Sequence, residues 1–220
     1  MSGLLQIFFI RHGQSTANAE GVWQGQLEFP LSDLGREQAR LCGMALSRFG
    51  AFSGVYASPL SRASETAEII RRELSFSGNF AGEVTEIAAL TERHGGLLQG
   101  RPWAQTIEEH PELIEKFRSL PPEEAWSIVG AETDEDLMSR FGKAVAGIRQ
   151  SHDQAQETRV VLVAHGGVLR AFLRSVFGEE VLPGTVRAPN ASVTHIRWES
   201  PDEPKLISLA STTHLDDLSV

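Results

Sequence analysis

The chain has 220 residues and a formal net charge of −9, from 20 Lys and Arg against 29 Asp and Glu. A chain of this length can bury a sizeable core, and we expect a single domain over 1–220. The acidic balance argues against nucleic acid and anionic membranes as partners. It does not exclude an anionic substrate, because such a site needs only a few converging arginines.

The cysteine content and the N-terminal sequence indicate which cellular compartment the protein occupies and whether it needs a metal or cofactor. Cys42 is the only cysteine, so no internal disulfide can form, as expected in a reducing compartment. No Cys-x-x-Cys or His-Glu-x-x-His pattern occurs, and we expect no metal and no cofactor. The chain opens without a basic segment or a long apolar stretch, and no apolar run approaches the ~20 residues of a membrane span. We therefore expect a cytoplasmic protein.

Strand and helix signals alternate along the first half of the chain. Residues 7–10 are apolar and β-branched, which is typical of a strand buried on both faces. Ser32 is a typical helix N-cap, and the helical segments show apolar residues three and four positions apart. The predicted elements after the first strand are a polar loop over 14–30, a helix over 32–49, a strand over 54–57, a helix over 62–74 and a strand over 84–90.

The second half resumes this alternation after an irregular stretch. Residues 94–131 are rich in Pro, Glu and Trp with weaker periodicity, and we interpret them as a partly helical excursion over the edge of the sheet. The later predicted elements are a helix over 134–150, a strand over 160–164, a helix over 168–177 and strands over 193–198 and 206–210. The acidic end, 214–220, is expected to fray. The whole pattern predicts an α/β fold, a three-layer αβα sandwich with a mostly parallel central sheet.

Two of the predicted strands end in the same way. The strand over 7–10 runs into Arg11-His12-Gly13, and the strand over 160–164 runs into His165-Gly166-Gly167. A single histidine at such a place is more often a polar residue that closes a strand. In an open α/β sheet, however, ligands bind at the carboxyl ends of the strands. Two such strands can place two imidazoles side by side over one substrate, which indicates an enzyme.

The residues around the first histidine carry a family resemblance. Arg11-His12-Gly13 resembles the RHG signature of the histidine phosphatase superfamily, which includes the phosphoglycerate mutases. Further matching motifs follow in the family's order over most of the chain: Gln14-Ser15 with Asn18, 23–27, 30–32, Gly35, Gln38-Ala39, 57–63, Thr66-Ala67, 90–94 and 163–167. The resemblance implies a phosphoglycerate mutase-like fold, with the excursion over 94–131 covering the active site.

The resemblance also implies a mechanism through phosphohistidine on His12. An attacking imidazole needs an unprotonated nitrogen, and the charges of Arg11 and Arg62 disfavour the imidazolium. The same guanidiniums can bind phosphate oxygens, with His165 as a further donor, so that no metal is required. Glu92 matches the general acid, which protonates the leaving oxygen and then activates water.

A second set of residues is implied to bind the phosphate or the substrate. The set consists of Gly13, Asn18, Gln24, Gly25, Arg93 and Gly166. Taken singly, these residues also fit structural roles such as turn formation or a surface ion pair. Their joint occurrence in the family's order favours the functional interpretation.

Within this family the reaction has two alternatives. The segment 90–100 resembles cofactor-dependent phosphoglycerate mutases, but Gly95 stands where those enzymes usually have tyrosine. A mutase must retain a bisphosphorylated intermediate, which takes several cations. Here Arg101 supplies one, no lysine occurs before Lys116, and Arg118 stands alone. We expect the site to be short of cations, which favours a phosphatase (a hydrolase) over a mutase (an isomerase).

The expected substrate is a small phosphorylated metabolite, a phosphomonoester of the sugar phosphate or phosphoglycerate type. A hypothesis of another class is a non-catalytic protein that binds phosphorylated ligands. Such a binder can lose its nucleophile or its acid, whereas this chain retains both His12 and Glu92. An apolar edge strand would also permit a homodimer.

Overall fold

The computed structural model describes residues 4–152, 157–178, 188–200 and 203–218. The strands are β1 (Leu5–Arg11), β2 (Val22–Trp23), β3 (Gly54–Ala57), β4 (Val84–Glu86), β5 (Arg101–Pro102), β6 (Thr158–Ala164), β7 (Val193–Trp198) and β8 (Pro204–Ser211). The α-helices are α1 (Thr16–Ala19), α2 (Asp33–Leu46), α3 (Ser61–Phe76), α4 (Trp103–Glu109), α5 (Pro111–Ser119), α6 (Pro122–Ile128), α7 (Asp134–Ser151) and α8 (Gly166–Phe177). In these ranges no helix is both long and apolar enough to cross a membrane.

One six-stranded sheet, in the order β4-β3-β6-β1-β7-β8, organises the fold. The four strands from β4 to β1 are parallel to one another, and β7 and β8 extend the sheet in antiparallel pairing. Strands β2 and β5 form a separate two-stranded ribbon. The predicted α/β fold with a mostly parallel central sheet is confirmed.

The register of β1 against β6 brings the two histidine-bearing strand ends together. Arg11 lies opposite Ala164, so His12 and His165 follow at the same edge of the sheet. The His12 amide continues the ladder by donating to the Ala164 carbonyl oxygen at 3.0 Å. Because parallel strands share a direction, both side chains emerge at their carboxyl ends, where α/β folds bind ligands.

The sheet is buried on both faces. Ile7 and Phe9 of β1 pack with residues of α7 and α8, whereas Phe8 and Ile10 pack with residues of α2 and α3. Alternate residues of a strand point to opposite faces, so the two alternating sets of apolar side chains pack against different helical layers. This double burial explains why the strand sequences are continuously apolar.

Local structure differs from the sequence predictions in three places. The predicted loop over 14–30 contains α1, because Ser15 and Asn18 form a reciprocal capping box, and it also contains β2. The predicted strand over 84–90 ends at Glu86, and a 3₁₀ turn follows over Ala88–Leu90. Residues Thr213–Leu218 form a 3₁₀ helix instead of fraying, and the His214 ring bonds to the Ala191 carbonyl oxygen at 3.1 Å.

The stretch over 94–131 holds the three short helices α4, α5 and α6. Pro111 begins α5, and Pro122 begins α6 directly after Pro121. Proline fits the first turn of a helix but interrupts a helix that is already running. The prolines therefore divide the segment into pieces too short to show clear periodicity. A small apolar cluster around Leu98, Ile114 and Val129 packs them together.

The packing of α7 against α8 can be tested by substituting Phe141. It is 0% exposed, and its ring lies 5.3 Å from that of Phe172. Phe141→Ala is expected to lower the free energy of unfolding by about 3–5 kcal/mol in urea denaturation, because it leaves a cavity in the core. Phe76→Ala, at a residue that is 93% exposed, should change it by less than about 0.5 kcal/mol. Equal losses in the two variants would contradict the assignment.

Candidate active site

His12 is buried and 2% exposed at the end of β1. Its Nδ1 lies 2.7 Å from the Gly13 carbonyl oxygen, which can only accept, so the proton sits on Nδ1 and the lone pair on Nε2. Burial, and then the charges of Arg11 and Arg62, hold the pKa of His12 well below its usual range despite the bond to Gly13. A neutral imidazole with an available Nε2 is a nucleophile at physiological pH.

Gly13 follows His12 and packs closely against Gly35 of α2. It is not among the residues that line the active-site cavity. A Cβ at this position would lie 2.3 Å from the Gly35 carbonyl oxygen, so only glycine fits. Its amide donates to Thr66 Oγ1 at 3.0 Å, and that hydroxyl donates to the Arg62 carbonyl oxygen at 2.7 Å. The predicted contact of Gly13 with phosphate has no place in this arrangement, because the amide already has a partner.

Arg11 and Arg62 are oriented by backbone carbonyl groups. Arg62, which is 1% exposed, donates to Leu27 O at 2.8 Å and to Gly25 O at 2.7 Å. Gly25 has φ +52, a left-handed conformation that favours glycine, and this turns its carbonyl toward the guanidinium. Arg11 donates to Ala188 O at 2.6 Å. Burial lowers the pKa of Arg62 to about 10, which leaves it a cation at neutral pH.

His165 lies beside His12, with 5.1 Å between the ring centroids. Its Nε2 is 2.8 Å from Ser58 Oγ, which already accepts from the Leu60 amide at 3.3 Å. We therefore assign the hydroxyl as the donor to Nε2, which places the proton of His165 on Nδ1. Burial, and then the charge of Arg62, lower the pKa of His165 well below its usual range.

Three buried nitrogens near the two rings have no hydrogen-bond partner within the described residues: Arg11 Nε, Arg62 Nε and His165 Nδ1. Buried polar groups are nearly always paired, so an unpaired set in one place indicates a ligand. All three are donors, and two of them are cationic. Together they form a site for an anion with several oxygens, next to the Nε2 lone pair of His12.

Glu92 is held at the N-terminus of α8. Its carboxylate accepts from the amides of Arg93 (2.8 Å), Gly167 (2.8 Å) and Val168 (2.9 Å). A Cβ on Gly167 would lie 2.6 Å from the nearer carboxylate oxygen, so the close approach requires glycine. The free amides and the dipole at a helix N-terminus favour a carboxylate there.

Arg140 of α7 fixes the segment that carries Glu92. Its guanidinium donates to the carbonyl oxygens of Ala89 (2.9 Å), Thr91 (2.8 Å) and Glu92 (2.9 Å). It also forms a two-point ion pair with Glu132, at 2.6 and 2.8 Å. One planar side chain therefore holds three backbone carbonyl groups within residues 89–92, next to the carboxylate.

Asn18 and Gln24 line the cavity with their amide nitrogens available as donors. Asn18 Oδ1 accepts from the Ser15 amide at 3.2 Å and from Asn190 Nδ2 at 3.0 Å. Gln24 Oε1 accepts from Ser15 Oγ at 2.8 Å. Because these contacts occupy the amide oxygens, each side chain can offer its NH₂ group to an anion.

Arg93 and Gly166 differ from the other predicted residues in what they can contribute. Arg93 pairs with Asp134 and stacks 4.3 Å above the Trp126 ring, so its charge is already matched. A Cβ on Gly166 would lie 3.2 Å from Arg11 Nε, so the missing side chain makes room for that guanidinium.

The site opens into a cavity of about 720 Å³. Its charged lining, within the described residues, consists of Arg11, Arg62, Arg93, Arg118, Arg170, Arg174, Glu92 and Asp134. The expectation of a site short of cations is therefore wrong: six arginines face two carboxylates. That expectation considered only the segment after Glu92, whereas Arg170 and Arg174 come from α8.

Sequence reasoning also missed four supporting residues: Ser58, Thr66, Arg140 and Asn190. Ser58 and Thr66 lie in the matching motifs, but the motifs alone do not show which groups these two hydroxyls contact. Arg140 and Asn190 lie in no recognised motif, and only the tertiary structure shows what they bind. Within the described residues, no group of three or more His, Cys, Asp or Glu side chains could hold a metal ion.

The fold and site define an α/β enzyme built for phosphoryl groups. The chain belongs to the histidine phosphatase superfamily (branch 1), whose family model matches residues 7–211. It is 34% identical over 197 residues to a metal-independent phosphoserine phosphatase of Arabidopsis thaliana, covering 89% of this chain and 78% of that protein.

Solved structures agree with this assignment. A mycobacterial glucosyl-3-phosphoglycerate phosphatase matches with a TM-score of 0.74 and 26% identity, covering 94% of this chain and 99% of that one. A phosphoglycerate mutase from Bacillus anthracis matches in fold, with a TM-score of 0.83 at 20% identity, over 97% of this chain and 96% of that one. The protein is a phosphomonoesterase.

The buried neutral histidines make stability depend on pH. The pKa values of His12 and His165 are lowered in the folded state, so below the ordinary value of 6.5 the unfolded chain binds more protons. The free energy of unfolding should therefore fall as pH is lowered from about 6.5 to 5. In urea titrations, His12→Asn with His165→Asn should flatten this slope, while His110→Asn should leave it unchanged. An unaltered slope in the double variant would rule out this origin.

Proposed function

We propose that the protein hydrolyses a small phosphomonoester through a phosphohistidine on His12, with Glu92 as general acid and base. The observation that carries this proposal is the set of unpaired donors around the His12 lone pair: Arg11 Nε, Arg62 Nε and His165 Nδ1. These three donors can bind the oxygens of a phosphoryl group, and the lone pair of His12 can attack its phosphorus.

In the first step, His12 Nε2 attacks phosphorus, and the bond from phosphorus to the ester oxygen breaks. Glu92 gives a proton to that oxygen, and the alcohol leaves. Arg11, Arg62 and His165 donate to the non-bridging oxygens, which carry the negative charge of the transition state. The products are an alcohol, a phosphohistidine and an ionised Glu92.

In the second step, the Glu92 carboxylate takes a proton from water, and the water oxygen attacks phosphorus. The bond from phosphorus to nitrogen breaks, its electron pair returns to His12, and inorganic phosphate leaves. The amides of Gly167 and Val168 hold the ionised carboxylate in the resting structure. A substrate that binds as the phosphate monoanion brings the proton that Glu92 passes to the leaving oxygen.

Hydrolysis is favoured over mutase activity by the relatives named as phosphatases and by room for water in the 720 Å³ cavity. Arginines of the lining other than Arg93, which pairs with Asp134, favour a second candidate, phosphoglycerate mutase activity, because cations in the cavity help to retain a bisphosphorylated intermediate. The relatives' names suggest phosphoserine and phosphoglycerate derivatives as the substrates to test first.

The test is phosphate release, with EDTA present, from O-phosphoserine, 3-phosphoglycerate, glucose 6-phosphate and para-nitrophenyl phosphate. His12→Ala should lower release by at least about 10³-fold, because it removes the nucleophile. His110→Ala, outside the site, should match the wild type. Conversion of 3-phosphoglycerate to 2-phosphoglycerate with little phosphate release would instead identify a mutase. Release that persists in His12→Ala would refute the covalent mechanism.

Arg140→Gln is expected to impair catalysis by releasing the backbone around Glu92. A misplaced acid should lower kcat by about 10²-fold for alkyl phosphates, whose leaving oxygen needs a proton. It should lower kcat much less for para-nitrophenyl phosphate, whose leaving group departs readily. Arg72→Gln, at an exposed arginine of α3, is the matched control. Equal losses on both kinds of substrate would show a general structural defect instead of a positioning role.

A further inference from the structure

The loop 188–192, which precedes β7, packs against the end of β1. The Ala188 carbonyl oxygen accepts from the Arg11 guanidinium at 2.6 Å, and the Ala191 amide donates to the His12 carbonyl oxygen at 3.1 Å. A loop of five residues therefore contacts both an arginine that is proposed to bind phosphate and the backbone of the proposed nucleophile.

Asn190 of this loop joins two residues of the site through a single amide group. Its Nδ2 donates to the His12 carbonyl oxygen at 3.1 Å and to Asn18 Oδ1 at 3.0 Å. A carbonyl oxygen can only accept, so the NH₂ group of Asn190, and not its amide oxygen, faces His12. Both protons of that group are then engaged, one by the proposed nucleophile and the other by Asn18.

The contact with Asn190 also fixes the orientation of Asn18. The Ser15 amide, which can only donate, approaches the same Asn18 Oδ1 at 3.2 Å. With two donors at its oxygen, Asn18 keeps its NH₂ group for an anion in the cavity that it lines. Asn190 is not among the lining residues, so any effect it has on a bound phosphate passes through Asn18 or His12.

The backbone of the loop is strained at Ala191. This residue has φ +55, in the left-handed region that residues with a Cβ rarely adopt, and it is 0% exposed. Its amide donates to the His12 carbonyl oxygen, and its own carbonyl oxygen accepts from His214 Nε2 at 3.1 Å. Strained backbone persists only where the surrounding structure holds it firmly, and it concentrates at functional sites. In this conformation Asn190 and Ala191 both donate to the same oxygen of His12.

We propose that Asn190 is a positioning residue for phosphoryl transfer, which holds the hydrogen-bond donor Asn18 in a fixed position relative to the nucleophile His12. A misplacement of about 1 Å between reacting groups can lower a rate by about 10²-fold, so a direct bridge between the two residues has a catalytic effect. This assignment rests on the proposed function, because it takes His12 as the nucleophile and Asn18 as a ligand of the phosphoryl group.

Binding of inorganic phosphate tests the link to Asn18 without turnover. Calorimetry would compare the wild type, Asn18→Ala, Asn190→Ala and the double variant. Asn18→Ala should weaken binding by about 10-fold, the loss of one hydrogen bond to an anion, and Asn190→Ala by about 3-fold to 10-fold. The double variant should match Asn18→Ala within about 2-fold, because Asn190 then has no donor to orient. Losses that multiply in the double variant, or an unchanged affinity in Asn190→Ala, would overturn the proposal.

Turnover of para-nitrophenyl phosphate tests the link to His12. In the Asn18→Ala background, Asn190→Ala should leave phosphate affinity unchanged but still lower kcat by about 10-fold, because the His12 carbonyl oxygen loses a donor. Asn190→Asp keeps the shape of the side chain but offers only acceptors at neutral pH, so it should lose at least as much. An unchanged kcat in Asn190→Ala, or wild-type activity in Asn190→Asp, would overturn the proposal.

Asn79 supplies a matched control. Its Nδ2 also donates to two oxygens, the Ser47 carbonyl oxygen at 2.7 Å and Ser77 Oγ at 3.0 Å, and it does not line the cavity. Asn79→Ala therefore removes a bridge of the same kind and should leave phosphate affinity and kcat unchanged. Losses equal to those of Asn190→Ala would show a general effect of lost stability and would overturn the positioning role.

Failure of the proposed function gives a different result from failure of this proposal. A wild-type protein that binds phosphate but hydrolyses no phosphomonoester would refute the proposed function, while the binding comparison would still decide on the link to Asn18. A wild-type protein that hydrolyses para-nitrophenyl phosphate, with an Asn190→Ala variant of equal activity, would overturn the positioning role and leave the phosphatase assignment standing.

Discussion

The parallel pairing of β1 with β6 is the constraint on which the site depends. It places His12 and His165 in equivalent positions after neighbouring strands, with 5.1 Å between their rings. Both strands are buried on both faces, so a shift in register would move an entire apolar set out of its layer. The distance between the two imidazoles is therefore set by the core of the protein, and the loops that follow only have to complete the site.

The site concentrates positive charge on buried side chains, and hydrogen bonds to the surrounding backbone compensate for part of the cost of burying it. Arg62 is almost fully buried, yet two of its nitrogens donate to the Gly25 and Leu27 carbonyl oxygens. Its Nε remains unpaired, as does that of Arg11. Buried donors without partners are unfavourable, so an anion that accepts hydrogen bonds from these two nitrogens is bound more tightly. Burial, and then the same two charges, lower the pKa of His12, so the groups proposed to bind the phosphoryl oxygens also favour the neutral imidazole of the proposed nucleophile.

The sequence predicted the parts of the structure that local patterns determine. Alternating apolar runs and N-caps were enough for the sheet and the long helices, and the two His-Gly phrases identified the strand ends where His12 and His165 meet. It did not predict α1, because a helix of four residues is too short to show helical periodicity, although its Ser15–Asn18 capping box is a local motif. It also underestimated the cations of the cavity. Arg170 and Arg174 show helical spacing in the sequence, but only the packing of α8 decides that their face meets the substrate cavity.

Helix α8 links His165 to the Glu92 carboxylate. His165 directly precedes it, its first amides hold Glu92, and the face that it turns to the cavity carries Arg170 and Arg174. Because its other face is packed into the core, these groups keep fixed relative positions while a substrate enters. A rigid element that follows one histidine and holds the proposed acid keeps these groups in a fixed geometry, which suits a phosphoryl group bound between them.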